Sequence, residues 1–181
     1  MPLLQDDLFF GRADLADFRE ISANITDATF EIFIREAQTI EVRGFVGNEL
    51  YRLLLDDWNG TDFDTQRFAD LWYGVDYTNS ESKPVRFNGL MSAAIYFSYS
   101  RFLLQQQNNV DRFGVSQLNN EISESATAPQ VRGKAGEARQ VAMRYQNDAK
   151  TFLLDKATTY PEWADSQSRT PKTSSFGFFK V

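Results

Sequence analysis

Residues 127–163 read TAPQVRGKAGEARQVAMRYQNDAKTFLLDKATTYPEW. Val131, Ala135, Ala138, Ala142, Tyr145, Ala149, Phe152 and Leu153 recur in steps of three and four, the spacing that lays side chains along one stripe of a helix. Thr127 and Gln130 have the spacing of a capping box, and Pro129 suits a first turn. Gly133 and Gly136 weaken that turn, so the firm helix is expected from Glu137. It stops before Tyr160, because a residue preceding proline is pushed out of the helical region. This is the expected longest helix, against which the others pack.

The rest of the chain supplies partners for that stripe. Asp14 is placed to cap a short helix over residues 15–21. Phe30, Phe33, Ile34, Ala37 and Ile40 form the apolar stripe of a helix over about 27–43, with Glu31, Arg35, Glu36 and Glu41 on its wet face. Leu50, Leu53, Leu54 and Trp58 continue in a helix over about 47–57, and Gly44 to Gly47 mark the break between the two. A fourth helix carries Phe63, Phe68, Leu71 and Trp72. Residues 74–84 read as a polar loop.

A further helix over 85–107 is apolar nearly all round: Phe87, Leu90, Met91, Ala94, Ile95 and Phe102 on one side, Tyr96, Phe97, Tyr99 and Leu103 on the other. Such a helix is either central or covered by a partner. Residues 108–128 are rich in Asn, Ser and Gln and lack helical period. Residues 164–181 read as an arm that ends Phe176-Gly-Phe178-Phe179-Lys-Val181. The expected class is therefore all-α, a bundle of about five helices over residues 1–163 with an extended loop at 108–128 and a C-terminal arm at 164–181.

Composition excludes much chemistry. The 181 residues contain no cysteine and no histidine, which removes thiolate nucleophiles, disulfides, and the commonest general base and metal ligand. No apolar run approaches the length that spans a bilayer, and no charged start leads into an apolar signal core; the expectation is a soluble, unsecreted chain without a membrane role. The net charge is −6, with 25 Asp and Glu against 19 Lys and Arg. The acidic residues crowd the first two thirds, while the long helix is basic. An acidic body is a poor binder of nucleic-acid phosphates, and the basic helix is either a solvated face or a contact with an acidic neighbour.

Three motifs have the spacing of a chemical site. The acidic segment Asp56-Asp57-Trp-Asn59-Gly-Thr-Asp62-Phe-Asp64 fails as a calcium loop: one starting at Asp57 puts Asp62 where glycine is needed and Phe68 where a bidentate glutamate is needed. A turn at Asn59-Gly60, with Thr61 or Asp62 capping the next helix, explains it better. Ser80-Glu81-Ser82-Lys83 has a penicillin-enzyme spacing, but Pro84 disfavours the helix that such a lysine requires. Gly133-x-x-Gly136 has the spacing of a KH loop without the surrounding strands. No phosphate loop or dinucleotide fingerprint is present. An enzyme would have to rest on Asp56, Asp57, Asp62 and Asp64; the reading here is that the chain is not an enzyme and carries no cofactor, catalytic residue or metal site.

The order of pieces is more telling. Residues 36–54 read EAQTIEVRGFVGNELYRLL, residues 112–121 RFGVSQLNNE, and residues 152–163 FLLDKATTYPEW. This order resembles the head–tail connector (adaptor) proteins of tailed bacteriophages. It is similar to a group of small phage proteins with an Ala…Leu-Gly-x-x-Leu-Tyr-x-x-Leu segment early and a Pro-x-Trp near the end. Here the early segment is Ala37…Val46-Gly47-Asn48-Glu49-Leu50-Tyr51-Arg52-Leu53, with Val46 in place of the leucine. The likeness spans about residues 8–163.

The resemblance implies a helical virion protein at the head–tail junction, assembled in the host cytoplasm. It implies a homo-oligomeric ring beneath the portal protein that extends the DNA channel, lets DNA pass without specific binding, and docks the next tail component or a further connector. Under that reading the interface residues are Tyr96, Tyr99, Phe113, Val115 and Leu118, together with Phe176, Phe178 and Phe179 of the arm. The arm is expected on a neighbouring subunit or tail protein, with docking on its own helices as the alternative. A helical interaction module of some other assembly is the competing function.

Overall fold

The computed structural model describes residues 8–16, 18, 27–106, 109–111, 114–116 and 128–168. The helices are α1 Arg12–Ala16, α2 Asp27–Glu36, α3 Arg43–Val46, α4 Asn48–Asp57, α5 Gln66–Tyr73, α6 Gly89–Gln106, α7 Ala128–Asp155 and α8 Pro161–Ser168, and a π-helical stretch, Ala37–Val42, joins α2 to α3. Two antiparallel hairpins pair β1 Val75–Thr78 with β2 Pro84–Phe87, and β3 Asn109–Asp111 with β4 Gly114–Ser116. The chain is thus mostly helical, and the hairpins are what the all-α expectation lacked. No helix among the described residues is long and apolar enough to cross a membrane.

The long helix α7 meets the stripe read from its sequence. Ala135, Ala138, Ala142, Ala149, Phe152 and Leu153 are buried, and Val131 and Tyr145 are half-buried. It starts at Ala128, earlier than Glu137: the helical cost of Gly133 and Gly136 is about 1 kcal/mol each, small beside the packing of a whole face. That face lies antiparallel on α6. Ser100 Oγ donates to Ala135 O at 2.9 Å, Tyr96 stacks on Tyr145 at 5.7 Å, and Phe87 stacks on Phe152 at 4.3 Å. Small side chains lie on both sides of this seam: Ala93 of α6 and Ala142 of α7 pack in one cluster with Phe97.

α6 is central. Leu90, Ala93, Ala94, Ile95, Phe97, Ser98, Ser100 and Phe102 are all buried, and the helix packs on α7, α2, α5 and the π stretch. Its second apolar face is covered from within the chain only in part: Phe97 is buried, Tyr96, Tyr99 and Leu103 are half-buried, and Leu104 is exposed. Tyr96 lies between Phe18 and Tyr145, and Tyr99 packs by Phe102. Both tyrosines keep part of their surface open to solvent.

The helix over residues 27–46 departs from its sequence pattern midway. Phe30, Phe33, Ile34 and Ala37 are buried as the stripe requires, but Ile40 is 56 % exposed while Gln38, Val42 and Val46 are buried. The π stretch inserts one extra residue in the turn, so the inward positions step from Ala37 to Val42. Ile40 turns out to water, and the Glu41 side chain turns in, 8 % exposed.

Residues 74–84 form more than a polar loop. Val75 pairs with Phe87 and Tyr77 with Val85 across the β1–β2 ladder. Asn79 closes the tip, its side-chain oxygen accepting from the Glu81 and Lys83 amides at 3.1 and 2.9 Å. At the base Gly74 and Gly89 touch backbone to backbone: a Cβ on Gly74 would lie 2.3 Å from Phe87 O, and one on Gly89 2.2 Å from Trp72 O. The strands escaped periodicity because each offers only two inward residues. Residues 164–168, assigned to the arm, belong to α8. The rest of the segment read as an arm, residues 169–181, lies outside the described residues.

Candidate functional site

The two signature segments of the sequence meet in space. Gly47 separates α3 from α4 with φ 85° and ψ 160°, a left-handed conformation that glycine alone adopts cheaply. Its amide donates to Arg43 O and its carbonyl accepts from the Tyr51 amide, both at 3.0 Å, so one residue ends one helix and starts the next. The Gly-x-x-x-Tyr spacing is thus one turn of helix hung on a glycine hinge. α8 lies against this turn: a Cβ on Gly47 would sit 2.9 Å from both Cβ and Oγ of Ser166.

Trp163, 3 % exposed, fills the same corner. Its ring lies 6.4 Å from Phe45, and its Nε1 donates to Phe45 O at 3.4 Å across 118 residues of chain. Pro161 starts α8, where a missing amide costs nothing. Just ahead, Tyr160 is buried and its hydroxyl donates to Arg67 O; burial first, and then the nearby Asp70 carboxylate, push its pKa up. Arg67 returns the contact, donating to Thr159 O at 2.9 Å and to Glu162 at 3.2 Å. The turn 156–160 and α8 are therefore clamped to α5 on one side and to α3–α4 on the other.

The early segment also reaches the N-terminal residues. Tyr51 is buried and its hydroxyl accepts from Gln38 Nε2 at 3.4 Å, while Gln38 Oε1 accepts from the Phe9 amide at 3.1 Å. Phe9 sits edge-on to Trp72, Phe63 and Trp58 at 5.0, 5.3 and 5.5 Å. Gln38 was missed in the sequence: a polar residue beside an apolar stripe reads as wet unless the π turn is known. Ser166 and Arg67 were missed for a similar reason, since their partners lie far along the chain.

The carboxylates between residues 56 and 64 are engaged in a turn. Asp56 pairs with Arg52. Asp57 accepts from the Thr65 amide at 2.9 Å and from the Thr65 hydroxyl. Asn59 Oδ1 accepts from the amides of Thr61 and Asp62, both at 3.0 Å, and Asn59 Nδ2 donates to Asp64 at 2.8 Å. The turn at Asn59-Gly60 is as read, but helix α5 opens after Thr65, whose hydroxyl is held by Asp57, and not after Thr61 or Asp62. Among the described residues no group of three or more carboxylates is placed to hold a metal ion.

A second polar cluster sits where the π stretch meets α6 and α7. Arg101 donates to Glu36 at 2.9 Å and to Glu41 at 2.7 Å, and Arg139 approaches Glu41 at 3.6 Å. Burial draws the Arg101 guanidinium down, but the two carboxylates outweigh it and hold its pKa above the ordinary value. The extra residue of the π turn thus presents Glu41 to two arginines.

Of the residues read as interface, Tyr96 and Tyr99 are half-buried, Tyr96 against Phe18 and Tyr145 and Tyr99 near Phe102. Val115 lies in strand β4, whose backbone pairs it with Val110. Phe113, Leu118, Phe176, Phe178 and Phe179 lie outside the described residues.

The chain belongs to DUF6712, a family of unknown function, whose model matches residues 42–173. That span opens at the early signature segment and runs past α8. No curated protein and no solved structure matches the chain.

Proposed function

We propose that this DUF6712 member is a structural subunit of a phage head–tail connector, an all-α frame with two hairpin appendages. Copies form a ring beneath the portal, extend the DNA channel and dock the next tail component, placing the protein in the virion. The observation that carries the reading is the junction itself. The segments resembling connector signatures, Val46 to Leu53 and Pro161 to Trp163, share one corner of the fold through Gly47, Phe45 and Trp163. Motifs that pack on each other describe an architecture more specifically than motifs that merely share a chain.

Surface charge supports a ring. Away from α6, α7 exposes Arg132, Lys134, Arg144 and Lys150 beside Glu137 and Asp148, whereas α4 and the following turn expose Glu49, Asp56, Asp62 and Asp64 beside Arg52. Unlike patches that meet under a closing rotation build a ring. This pair of faces is a contact between copies in addition to the half-buried Tyr96 and Tyr99. The acidic body suits a channel that DNA traverses without adhering.

Negative-stain microscopy of the full chain, alone and mixed with a phage portal protein, tests the reading. Closed rings seated on portal rings are expected. A chain that stays monomeric and leaves portal particles undecorated contradicts it.

A further inference from the structure

The β1–β2 hairpin has an open side. Asn79 N donates to Lys83 O at 2.9 Å, and Ser82, at φ 62°, donates its amide to Asn79 O at 3.0 Å. The pair 79–83 is therefore hydrogen-bonded, and bonded pairs alternate with unbonded ones along an antiparallel ladder. Counting back through the register, Tyr77–Val85 and Val75–Phe87 are bonded pairs, whereas Asp76–Arg86 and Thr78–Pro84 are not. Pro84, which has no amide hydrogen, sits where none is called for. The N–H and C=O of Asp76 and Thr78 thus point away from β2, and among the described residues no third strand takes them.

An open edge invites another chain, and proteins blunt such edges with proline. The outer edge of β2 is blunted in this way by Pro84. β1 instead borders a cavity of about 400 Å³, bounded on the far side by α5 and the turn after α7. That volume is at the low end of ligand pockets, roughly 300–1,000 Å³, and suits a few residues of extended chain. Two charges on its accessible walls lack an ionic partner among the described residues. Lys156 Nζ lies 5.4 Å from the centre of the half-buried Tyr77 ring and forms no salt bridge. The Asp70 carboxylate accepts from Gln66 Nε2 at 2.7 Å and meets no cation. The other two charges are engaged: Arg67 with Glu162, and Asp76 with Arg86, both at 3.2 Å. The unpaired charges mark opposite ends of β1. Asp70 O accepts from the amide of Gly74, the residue before the strand, at 3.0 Å, whereas Tyr77, beside Lys156, is the strand's last residue but one.

We propose that β1 takes a third strand: an extended segment of another protein, running antiparallel, acidic where it starts beside Lys156 and basic where it ends beside Asp70. Its backbone pairs with the outward N–H and C=O of Asp76 and Thr78, and its end charges set its direction. Antiparallel addition continues the hairpin's own pattern and pairs somewhat better than parallel addition. The proposal does not depend on the connector reading.

The blocked pentapeptide acetyl-Glu-Val-Thr-Val-Lys-amide is the probe, and the same peptide with its two charges exchanged is the control. In the full chain without peptide, the amides of Asp76 and Thr78 should exchange hydrogen rapidly beside protected Val75 and Tyr77. Millimolar probe should slow exchange at Asp76 and Thr78 by about three- to tenfold, a factor set by peptide concentration over its dissociation constant, and leave Val75 and Tyr77 as they were. Exchanging the charges, or Lys156→Gln, should weaken binding by about two- to fivefold at low salt. Thr78→Pro removes only an outward N–H, so the melting midpoint should hold while the probe no longer protects Asp76. Unchanged exchange at Asp76 and Thr78, equal binding of the control peptide, or a Thr78→Pro chain that binds as before would each overturn the proposal. So would a dimer of the chain that Thr78→Pro dissolves, because β1 would then serve a second copy.

Discussion

The α6–α7 seam and the α4–α8 corner are built on opposite principles. The seam is long and repetitive: alanines and serines at helical spacing bring two backbones together, and no single contact decides it. The corner is small and singular. One glycine with φ 85°, one buried tryptophan and one clamp through Arg67 hold α8 in place. A seam of many equal contacts fails as a unit, and a corner of few unequal ones fails locally. The parts that resemble a connector signature are those of the corner.

Substitutions at the two places should therefore differ in both size and reach. Trp163→Ala should have the largest effect, about 3–5 kcal/mol as for other buried tryptophans. Denaturant melts should also show a reduced slope if α8 detaches before the rest. Gly47→Ala should cost about 2–3 kcal/mol, from a side chain at positive φ and from the crowding against Ser166. Adding Ser166→Gly should restore only the crowding part, a partition that a double-mutant cycle reads directly.

On the seam, Ala142→Leu should cost about 1–3 kcal/mol by overpacking. It should shift the whole transition without changing its slope, since α6 and α7 form the body of the core. A reduced slope for Ala142→Leu, or none for Trp163→Ala, would dissolve the distinction.

The smallest effect is at high pH. Burial and then Asp155, at 3.1 Å, push Tyr77 up to about 12 from its unfolded value of 10.0, and burial raises Tyr160 as well. A raised folded pKa means that the native state holds its proton longer than the unfolded one. This stabilisation is complete below pH about 10 and fades as pH climbs to about 12. Melting temperature should fall across that window, and Tyr77→Phe should flatten the fall at the α7 end, leaving the contribution of Tyr160 at the corner.

The contrast also explains what could be read from the chain. α7 was legible because its stripe, Val131 to Leu153, repeats eight times at helical spacing, and repetition survives two glycines. The break at Gly47 was legible because glycine is so often the residue at a left-handed turn. The inward turn of Glu41 was not, since a π turn leaves no mark in periodicity; only the mismatch of Ile40 with Val42 and Val46, seen afterwards, betrays it. The role of α6 stayed open between core and interface because composition gives an apolar surface without saying who covers it. The corner was read as two motifs, at Gly47 and at Trp163, and their contact depends on a path of more than a hundred residues that no local pattern encodes. The hairpins fell below detection because two inward residues per strand make no period.

Hydrogen exchange of the full chain, comparing Gly47→Ala with Ala142→Leu, most directly tests the claim that the signature segments form one local junction. Gly47→Ala should speed exchange of the α8 amides, residues 163–168, by one to two orders of magnitude, about 1.4–2.8 kcal/mol of local opening, and leave α6 and α7 as protected as before. Ala142→Leu should lower protection along α6 and α7, with α8 following only through global unfolding. If Gly47→Ala instead lowers protection evenly over the molecule, or leaves α8 untouched, the two segments do not act as a junction and the reading built on them falls.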